Sequence, residues 1–123
     1  MLCCHEQVVF ERGQGVDPRI SEVLDLICRQ LDRPFSISEL ARLCHLSPSR
    51  FAHLFREQLD MTPLQFIERQ RIERARKLLE HTGHTIASIS QQVGFESAFY
   101  FSRRFKLATG SSPRDYRRRA SES

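Results

Sequence analysis

The chain has 123 residues, of which 40% are hydrophobic and 28% charged, and this is typical of one ordinary globular domain or of two very small helical units. No apolar run is long enough to span a bilayer and no signal-peptide layout is present, so we expect a cytoplasmic protein. The net charge of +4 hides an asymmetry, because residues 98–123 hold seven basic and two acidic side chains while the rest holds twelve basic and thirteen acidic. Such clustering favours a polyanionic partner, although it also fits a solvated face.

Residues 1–16 show no sustained hydrophobic period and include two glycines, which predicts a flexible leader or a truncated interdomain linker. Cys3, Cys4 and His5 are adjacent, a pattern that lacks the second, distant pair of ligands expected of a metal site. We therefore expect neither a metal nor a cofactor.

Seven helices are predicted after this leader, because apolar residues recur at spacings of three, four and seven. Each helix starts at a polar N-cap residue, often followed by proline; in chain order these are Asp17, Ser36, Ser47, Thr62, Thr85, Ser97 and Ser112. The inward face of the sixth helix is predicted to hold Ala98, Phe101, Phe105 and Ala108, and its outward face Phe99, Ser102, Arg103 and Lys106. No segment alternates with a period of two residues, so the predicted fold class is all-α.

One unit occurs twice in the chain. The alignment of ISELARLCHLSPSRFAHLFREQLDMTP with IASISQQVGFESAFYFSRRFKLATGSSP has an offset of 49 residues that later becomes 50. It pairs Ile37 with Ile86, Leu40 with Ile89, Cys44 with Val93, Leu46 with Phe95, Phe51 with Phe101, Phe55 with Phe105, Arg56 with Lys106 and Pro63 with Pro113. In the turn, His45 of the first copy stands where the second has Gly94, and such turns favour a positive φ.

Each copy is a short helix, a tight turn and a longer helix with a polar and basic outer face, which is typical of a helix-turn-helix. For one copy alone, an ordinary helical hairpin is the alternative. The stretch PLQFIERQRIERARKLLEHT between the copies predicts a stiff linker helix of about 27 Å. We therefore predict helix-turn-helix subdomains at 17–62 and 83–119, a linker helix at 63–82 and a disordered tail at 120–123.

The duplicated helix-turn-helix predicts DNA binding, and two other classes of function are alternatives to it. The histidines lack an H-E-x-x-H spacing, and the chain has neither a nucleophile elbow nor a phosphate loop, so we expect no enzyme. A basic helical module that binds an acidic protein is the second alternative. Competition between a specific and a scrambled duplex separates that module from a DNA-binding protein.

The segments QRIERARKLLEHTGHTIASISQQVGFESAFYFSRRFKLATGSSPRDYR, 70–117, and LSPSRFAHLFREQL, 46–59, resemble the DNA-binding domain of the AraC/XylS family of bacterial transcription regulators. The SPSR and HLFR portions are especially similar to family members that control arabinose catabolism. The resemblance implies a bi-lobed, seven-helix domain that places its third and sixth helices in adjacent major-groove segments of double-stranded DNA. It also implies RNA polymerase as a partner, a monomeric isolated domain, and a full-length protein that dimerises through a separate N-terminal sensing domain. The alternative is a protein of the smaller class within the family that acts without a sensing domain.

Matched to the family pattern, the base-reading residues are Ser49, Arg50 and His53 of the first reading helix and Ala98, Phe99, Ser102 and Arg103 of the second. Arg103 is the strongest candidate, because arginine can bond guanine O6 and N7 together. Phe99 departs from the polar residue often found there, and it either touches a thymine methyl group or packs within the protein. The phosphate-binding groups are the side chains of Arg56, Arg104 and Lys106 and the backbone amides at Ser47, Ser97 and Ser112, with solvent-facing roles as the alternative for the side chains.

Overall fold

The computed structural model describes residues 16–122, and within this range the chain forms seven α-helices and no strand. The helices are α1 Pro18–Arg29, α2 Ile37–Leu43, α3 Pro48–Leu59, α4 Pro63–His81, α5 Ile86–Gln92, α6 Ala98–Thr109 and α7 Pro113–Glu122. The all-α, seven-helix prediction is confirmed. The proposed leader at 1–16 lies almost entirely outside the described residues.

Side-chain caps explain where the helices start. The hydroxyl oxygens of Ser47 and Ser97 accept hydrogen bonds from the amides three residues later, at 3.2 and 3.1 Å, and thereby satisfy amides that lack a partner within the helix. Thr62 and Gln65 exchange two such bonds, of 3.1 and 2.9 Å, in a complete capping box at the start of α4. Each of α1, α3, α4 and α7 also begins with proline, whose missing N–H costs nothing at this position.

The chain divides into two compact units within α4, between Glu68 and Arg69. The core of the first unit combines apolar residues of α1, α2 and α3 with the beginning of α4; its largest buried side chains are Ile20, Leu24, Ile27, Leu31, Leu40, Phe51, Phe55 and Phe66. The Phe55 ring packs edge-on against Phe51 and Phe66, with ring centroids 5.8 and 5.9 Å apart. These contacts hold α3 from behind and leave its other face exposed.

The second unit repeats this arrangement with different side chains. Its buried core consists of Ile72, Ala75, Leu79, Ile89, Val93, Phe95, Phe101 and Phe105. The Phe105 ring lies between Phe101 and Tyr116, with centroid distances of 5.6 and 5.4 Å. Tyr116 thus takes the place that Phe66 has in the first unit, 50 residues earlier, and the repeat extends further along the chain than the sequence alignment indicated.

The turns of the two copies share a left-handed residue. His45 has a φ of 58° and Gly94 a φ of 99°, as the sequence predicted for this position. The amide of Leu46 donates to the Ala41 carbonyl at 3.0 Å, and the amide of Phe95 donates to Ser90 at 2.9 Å. The C-caps of α3 and α6 are matched as well, because Asp60 and Gly110 are both left-handed, with φ values of 59° and 85°.

Two expectations differ from the structure. Residues 120–122 continue α7 and are not a disordered tail, because Ala120 favours the helix and the Ser121 hydroxyl donates to the Arg118 carbonyl at 2.9 Å. Ala108 was expected to face inward but is exposed. It lies in the last turn of α6, beyond Phe105, which is the last residue of that helix to reach the core.

Candidate nucleic-acid interface

The helix pairs α2–α3 and α5–α6 form the two helix-turn-helix units, and we call α3 and α6 their recognition helices. Both begin at a serine N-cap and both bury two phenylalanines on one side, Phe51 and Phe55 in α3 and Phe101 and Phe105 in α6. Small buried residues, Ala41 and Ser90, occupy equivalent positions in the preceding helices and permit close packing. In both recognition helices the face opposite the two phenylalanines is therefore exposed to solvent.

The outer face of α3 carries Ser49, Arg50 and His53, all three exposed. His53 Nε2 lies 3.6 Å from Glu57 Oε2, one helical turn further on. The predicted base-reading residues of the first copy are thus brought together on one face. This face combines hydrogen-bond donors with a nearby carboxylate.

A pocket at this face also involves residues that the sequence did not single out, among them Arg19. Its lining comprises Arg19, Leu46, Arg50, His53, Leu54 and Glu57. Asp17 holds the Arg19 guanidinium through two contacts of 3.2 and 3.0 Å, and this hydrogen bond is the main cause that lowers the pKa of the Asp17 carboxyl. The spacing of four residues in a helix predicts that His53 and Glu57 are neighbours. Arg19 reaches the same pocket only because α1 packs there, and no local pattern in the sequence indicates this.

The outer face of α6 has a different character. Phe99 is 74% exposed and is absent from the buried core, so its ring does not pack inside the second unit. The guanidinium carbon of Arg103, one turn later, lies 5.9 Å from the centre of the Phe99 ring. Ala98 and Ser102 are half-buried, so of the four predicted base-reading residues Phe99 and Arg103 project furthest into solvent.

The predicted phosphate-binding groups fall into two classes. Arg56 and Lys106 are exposed, as are the N-cap residues Ser47 and Ser97, whereas Arg104 and Ser112 are half-buried. The Ser112 hydroxyl accepts a 3.1 Å hydrogen bond from the Asp115 amide and caps α7, as the hydroxyls of the other two serines cap α3 and α6. The three hydroxyl oxygens accept capping hydrogen bonds, and the backbone amides of the same serines, at the starts of their helices, are the groups to which phosphate binding was assigned.

The C-terminal arginines contribute less free charge than the sequence indicated. Arg117 donates from Nε to the Leu79 carbonyl at 3.2 Å and from a terminal nitrogen to the Thr82 carbonyl at 3.1 Å. Arg119 donates to the Ser111 hydroxyl at 2.8 Å, and Arg118 forms an exposed ion pair with Asp115, with N and O 3.2 Å apart. Part of the basic cluster therefore stabilises the second unit.

No group of three potential metal ligands occurs among residues 16–122. Cys3, Cys4 and His5, whose adjacency is only a weak metal-binding pattern, lie outside the described residues. No helix in the described part of the chain is long and apolar enough to cross a membrane.

Comparison with known proteins matches this geometry to a family. A helix-turn-helix domain family model matches residues 40–119. The arabinose operon regulatory protein of Escherichia coli K12 is 43% identical over 121 residues, covering 91% of this chain and 41% of that protein. The transcriptional activator RhaR of Cronobacter sakazakii is 33% identical, covering 88% of this chain and 40% of that protein. The chain thus spans about two fifths of the length of these two relatives.

Solved structures show the same likeness. The DNA-binding domain of AdpA, crystallised with a target DNA, superposes with a TM-score of 0.78 at 31% identity, covering 82% of this chain and 90% of that one. An AraC-type regulator from Chromobacterium violaceum gives a TM-score of 0.77 at 27% identity, covering 85% and 93%. The chain belongs to the family of AraC-type helix-turn-helix DNA-binding domains of bacterial transcription regulators.

Proposed function

We propose that α3 and α6 enter two adjacent major-groove segments and read different short sequences. The observation that carries this proposal is the duplication itself: two recognition helices are braced by equivalent aromatic side chains, and the outer face of each exposes basic side chains. The major groove of B-form DNA admits one α-helix, and its base edges carry the full donor and acceptor code. Residues near the N-terminus of a recognition helix contact those edges.

In α3, the proposed readers are Ser49, Arg50 and His53. All three side chains are exposed, and together they supply hydroxyl, guanidinium and imidazole donors within the first two turns. Arg50 suits guanine, because its planar fork matches O6 and N7. His53, held near Glu57, suits an acceptor on the following base pair.

In α6, the proposed readers are Ala98, Phe99, Ser102 and Arg103. Arg103 is exposed and makes no ion pair within residues 16–122, so its guanidinium is available to guanine. Ala98 and Ser102 are half-buried and small, and they permit close approach of the helix to the base edges.

Phosphate contacts fix the register of the two helices. We assign them to the side chains of Arg56, Lys106 and Arg104 and to the backbone amides at Ser47, Ser97 and Ser112, which lie at the starts of α3, α6 and α7. Helix starts carry partial positive charge from unpaired amides, and this charge favours an anion. Such contacts position the domain without reading sequence.

Several properties of the whole protein follow from the same proposal. The chain acts in the cytoplasm by binding and not by catalysis, and it needs no cofactor for DNA binding. Its isolated form is a monomer, and the full-length protein dimerises through another domain and contacts RNA polymerase. The similarity to the arabinose operon regulatory protein, at 43% identity, supports a sugar catabolic operon of the arabinose type as the target.

Selection of bound duplexes from a random library tests the proposal, followed by measurement of Kd for the enriched and a scrambled duplex. We expect two short elements about one helical turn apart, not arranged as a palindrome. Arg103→Ala should weaken binding to the enriched duplex by about 5- to 150-fold, equivalent to 1–3 kcal/mol, with a much smaller loss on the scrambled duplex.

Lys106→Ala provides the matched control, because Lys106 is exposed on the same helix and is assigned to phosphate. It should weaken both duplexes alike and reduce the salt slope by about 1. Equal losses on both duplexes for Arg103→Ala would reassign Arg103 to a phosphate. If no duplex is enriched while an acidic protein partner binds, the chain is a basic protein-interaction module instead.

A further inference from the structure

The exposed phenyl ring of Phe99 lies at the position of α6 where a polar reader is expected. Among the large hydrophobic side chains that are exposed in residues 16–122, Phe99 has the largest exposed fraction, at 74%. It is the second residue of α6, in the turn that approaches base edges in helix-turn-helix complexes. Since the core does not use this ring, its apolar surface is available to a ligand in the groove.

Arg103 lies beside Phe99 on the exposed face of α6. The two residues are four apart on the helix, and the guanidinium carbon of Arg103 is 5.9 Å from the centre of the Phe99 ring. A cation near an aromatic ring is attracted to it, so the ring limits the positions that the guanidinium occupies. Within the described residues no carboxylate pairs with Arg103, and its hydrogen-bond donors remain unused.

The first copy lacks this pair. An offset of 50 residues places Ser49 opposite Phe99 and His53 opposite Arg103. The next turn differs as well, because Glu57 contacts His53 in α3 whereas the equivalent residue in α6 is the exposed Leu107. A ring combined with an arginine therefore belongs to α6 alone.

We propose that Phe99 and Arg103 together read a thymine next to a guanine, with the Phe99 ring covering the thymine 5-methyl group. Arg103 then donates to O6 and N7 of the guanine. This inference rests on the proposed function, since it requires α6 to lie in the major groove. The thymine methyl is the apolar group that the major groove presents, and stacked bases are about 3.4 Å apart, so side-chain heads 5.9 Å apart suit neighbouring bases better than one base.

Replacement of single thymines by deoxyuridine in the enriched duplex tests this inference, because it removes only the methyl group. We expect one thymine, adjacent to a guanine, at which deoxyuridine weakens wild-type binding by about three- to tenfold, the effect of uncovering one methyl group. The Phe99→Ala variant should bind the thymine and deoxyuridine duplexes equally. A duplex with 5-methylcytosine paired to guanine at that position should bind the wild type more tightly than its cytosine counterpart, because the methyl group returns.

Leu107→Ala is the matched control, because Leu107 is 72% exposed on the same helix but lies two turns away from Phe99. It should keep the full preference for thymine over deoxyuridine. Circular dichroism should show the wild-type melting point for Phe99→Ala, because the ring makes no core contact.

The inference is overturned if every deoxyuridine duplex binds like the parent, if the enriched duplex has no thymine beside a guanine, or if Phe99→Ala keeps the preference for thymine. All three outcomes leave the proposed function standing, because a duplex has then been enriched. A failure to enrich any duplex instead counts against the proposed function.

Discussion

Arg117 offers a direct test of which basic residues hold the fold and which are free for DNA. It follows Tyr116 in α7, in a stretch of three consecutive arginines that the sequence presents as a single basic patch. Its guanidinium, however, donates to the Leu79 and Thr82 carbonyls at 3.2 and 3.1 Å. The Leu79 carbonyl is in the last turn of α4 and the Thr82 carbonyl follows its last residue, and this end of the helix carries partial negative charge.

The magnitude follows from these two bonds. Hydrogen bonds from a charged donor contribute about 1.5–3 kcal/mol each when well buried, and water replaces part of that at a half-buried site. We therefore expect Arg117→Ala to lower the free energy of unfolding by about 2 kcal/mol, a drop in Tm of roughly 6–12 °C. Arg118→Ala is the matched control, because Arg118 is exposed and its ion pair with Asp115 contributes at most about 1 kcal/mol.

Thermal unfolding measured by circular dichroism shows whether Arg117 stabilises the fold. The dependence of Kd for DNA on salt concentration shows whether it contacts a phosphate. Each phosphate contact contributes about 0.9 to the slope of log K against log salt concentration. If Arg117 only stabilises the fold, Arg117→Ala should have the same slope as the wild type at a temperature at which the variant is folded. A wild-type Tm for Arg117→Ala together with a slope reduced by about 1 would refute the reasoning. It would mean that the guanidinium leaves α4 and binds DNA.

Three further predictions concern stability, each measured by denaturant unfolding. Gly110→Ala should lower the free energy of unfolding by about 1–2 kcal/mol, because its φ of 85° is left-handed although a Cβ would meet no neighbour there. Asp60→Gly at the equivalent C-cap should raise the free energy of unfolding by about 0.5 kcal/mol. Changes of the opposite sign would contradict this reasoning. Phe101→Ala should cost about 3–5 kcal/mol by opening a cavity, and an unchanged stability would disprove the inward assignment. Burial and a hydrogen bond to Glu80 raise the pKa of the Tyr116 phenol, so the folded state favours the neutral form; stability should fall as pH rises above the ordinary value of about 10, and Tyr116→Phe should remove this component.

The sequence contained enough information for the helices and for most of the core. Caps such as Ser47 and Ser97 and the spacing of Phe51 and Phe55 are local signals, so the chain itself specifies where a helix starts and which face it buries. Because the unit is repeated, a buried position identified in one copy predicts the buried position in the other. The correspondence between Tyr116 and Phe66 is visible only in the structure, because a tyrosine in a basic segment resembles a surface residue.

The candidate site was less accessible to sequence reasoning. Periodicity placed Phe99 on the outward face of α6, but its apolar ring left packing within the protein as an alternative, and the observed exposure of 74% separates the two. The partners of Arg117 lie 38 and 35 residues away in the chain, so no local pattern reveals them. The same holds for Arg19, which reaches the pocket at α3 through the packing of a separate helix.

The two copies differ in the part that would face DNA far more than in the part that faces the core. Buried phenylalanines of α3 recur in α6, but the outward residue Ser49 is replaced by Phe99, and His53 by Arg103. A duplicated scaffold therefore carries two chemically distinct outer surfaces. A palindromic site offers the same bases in both half-sites, so only one of the two surfaces would meet the bases that it prefers. A monomer is therefore expected to prefer an asymmetric site and to bind it in one orientation.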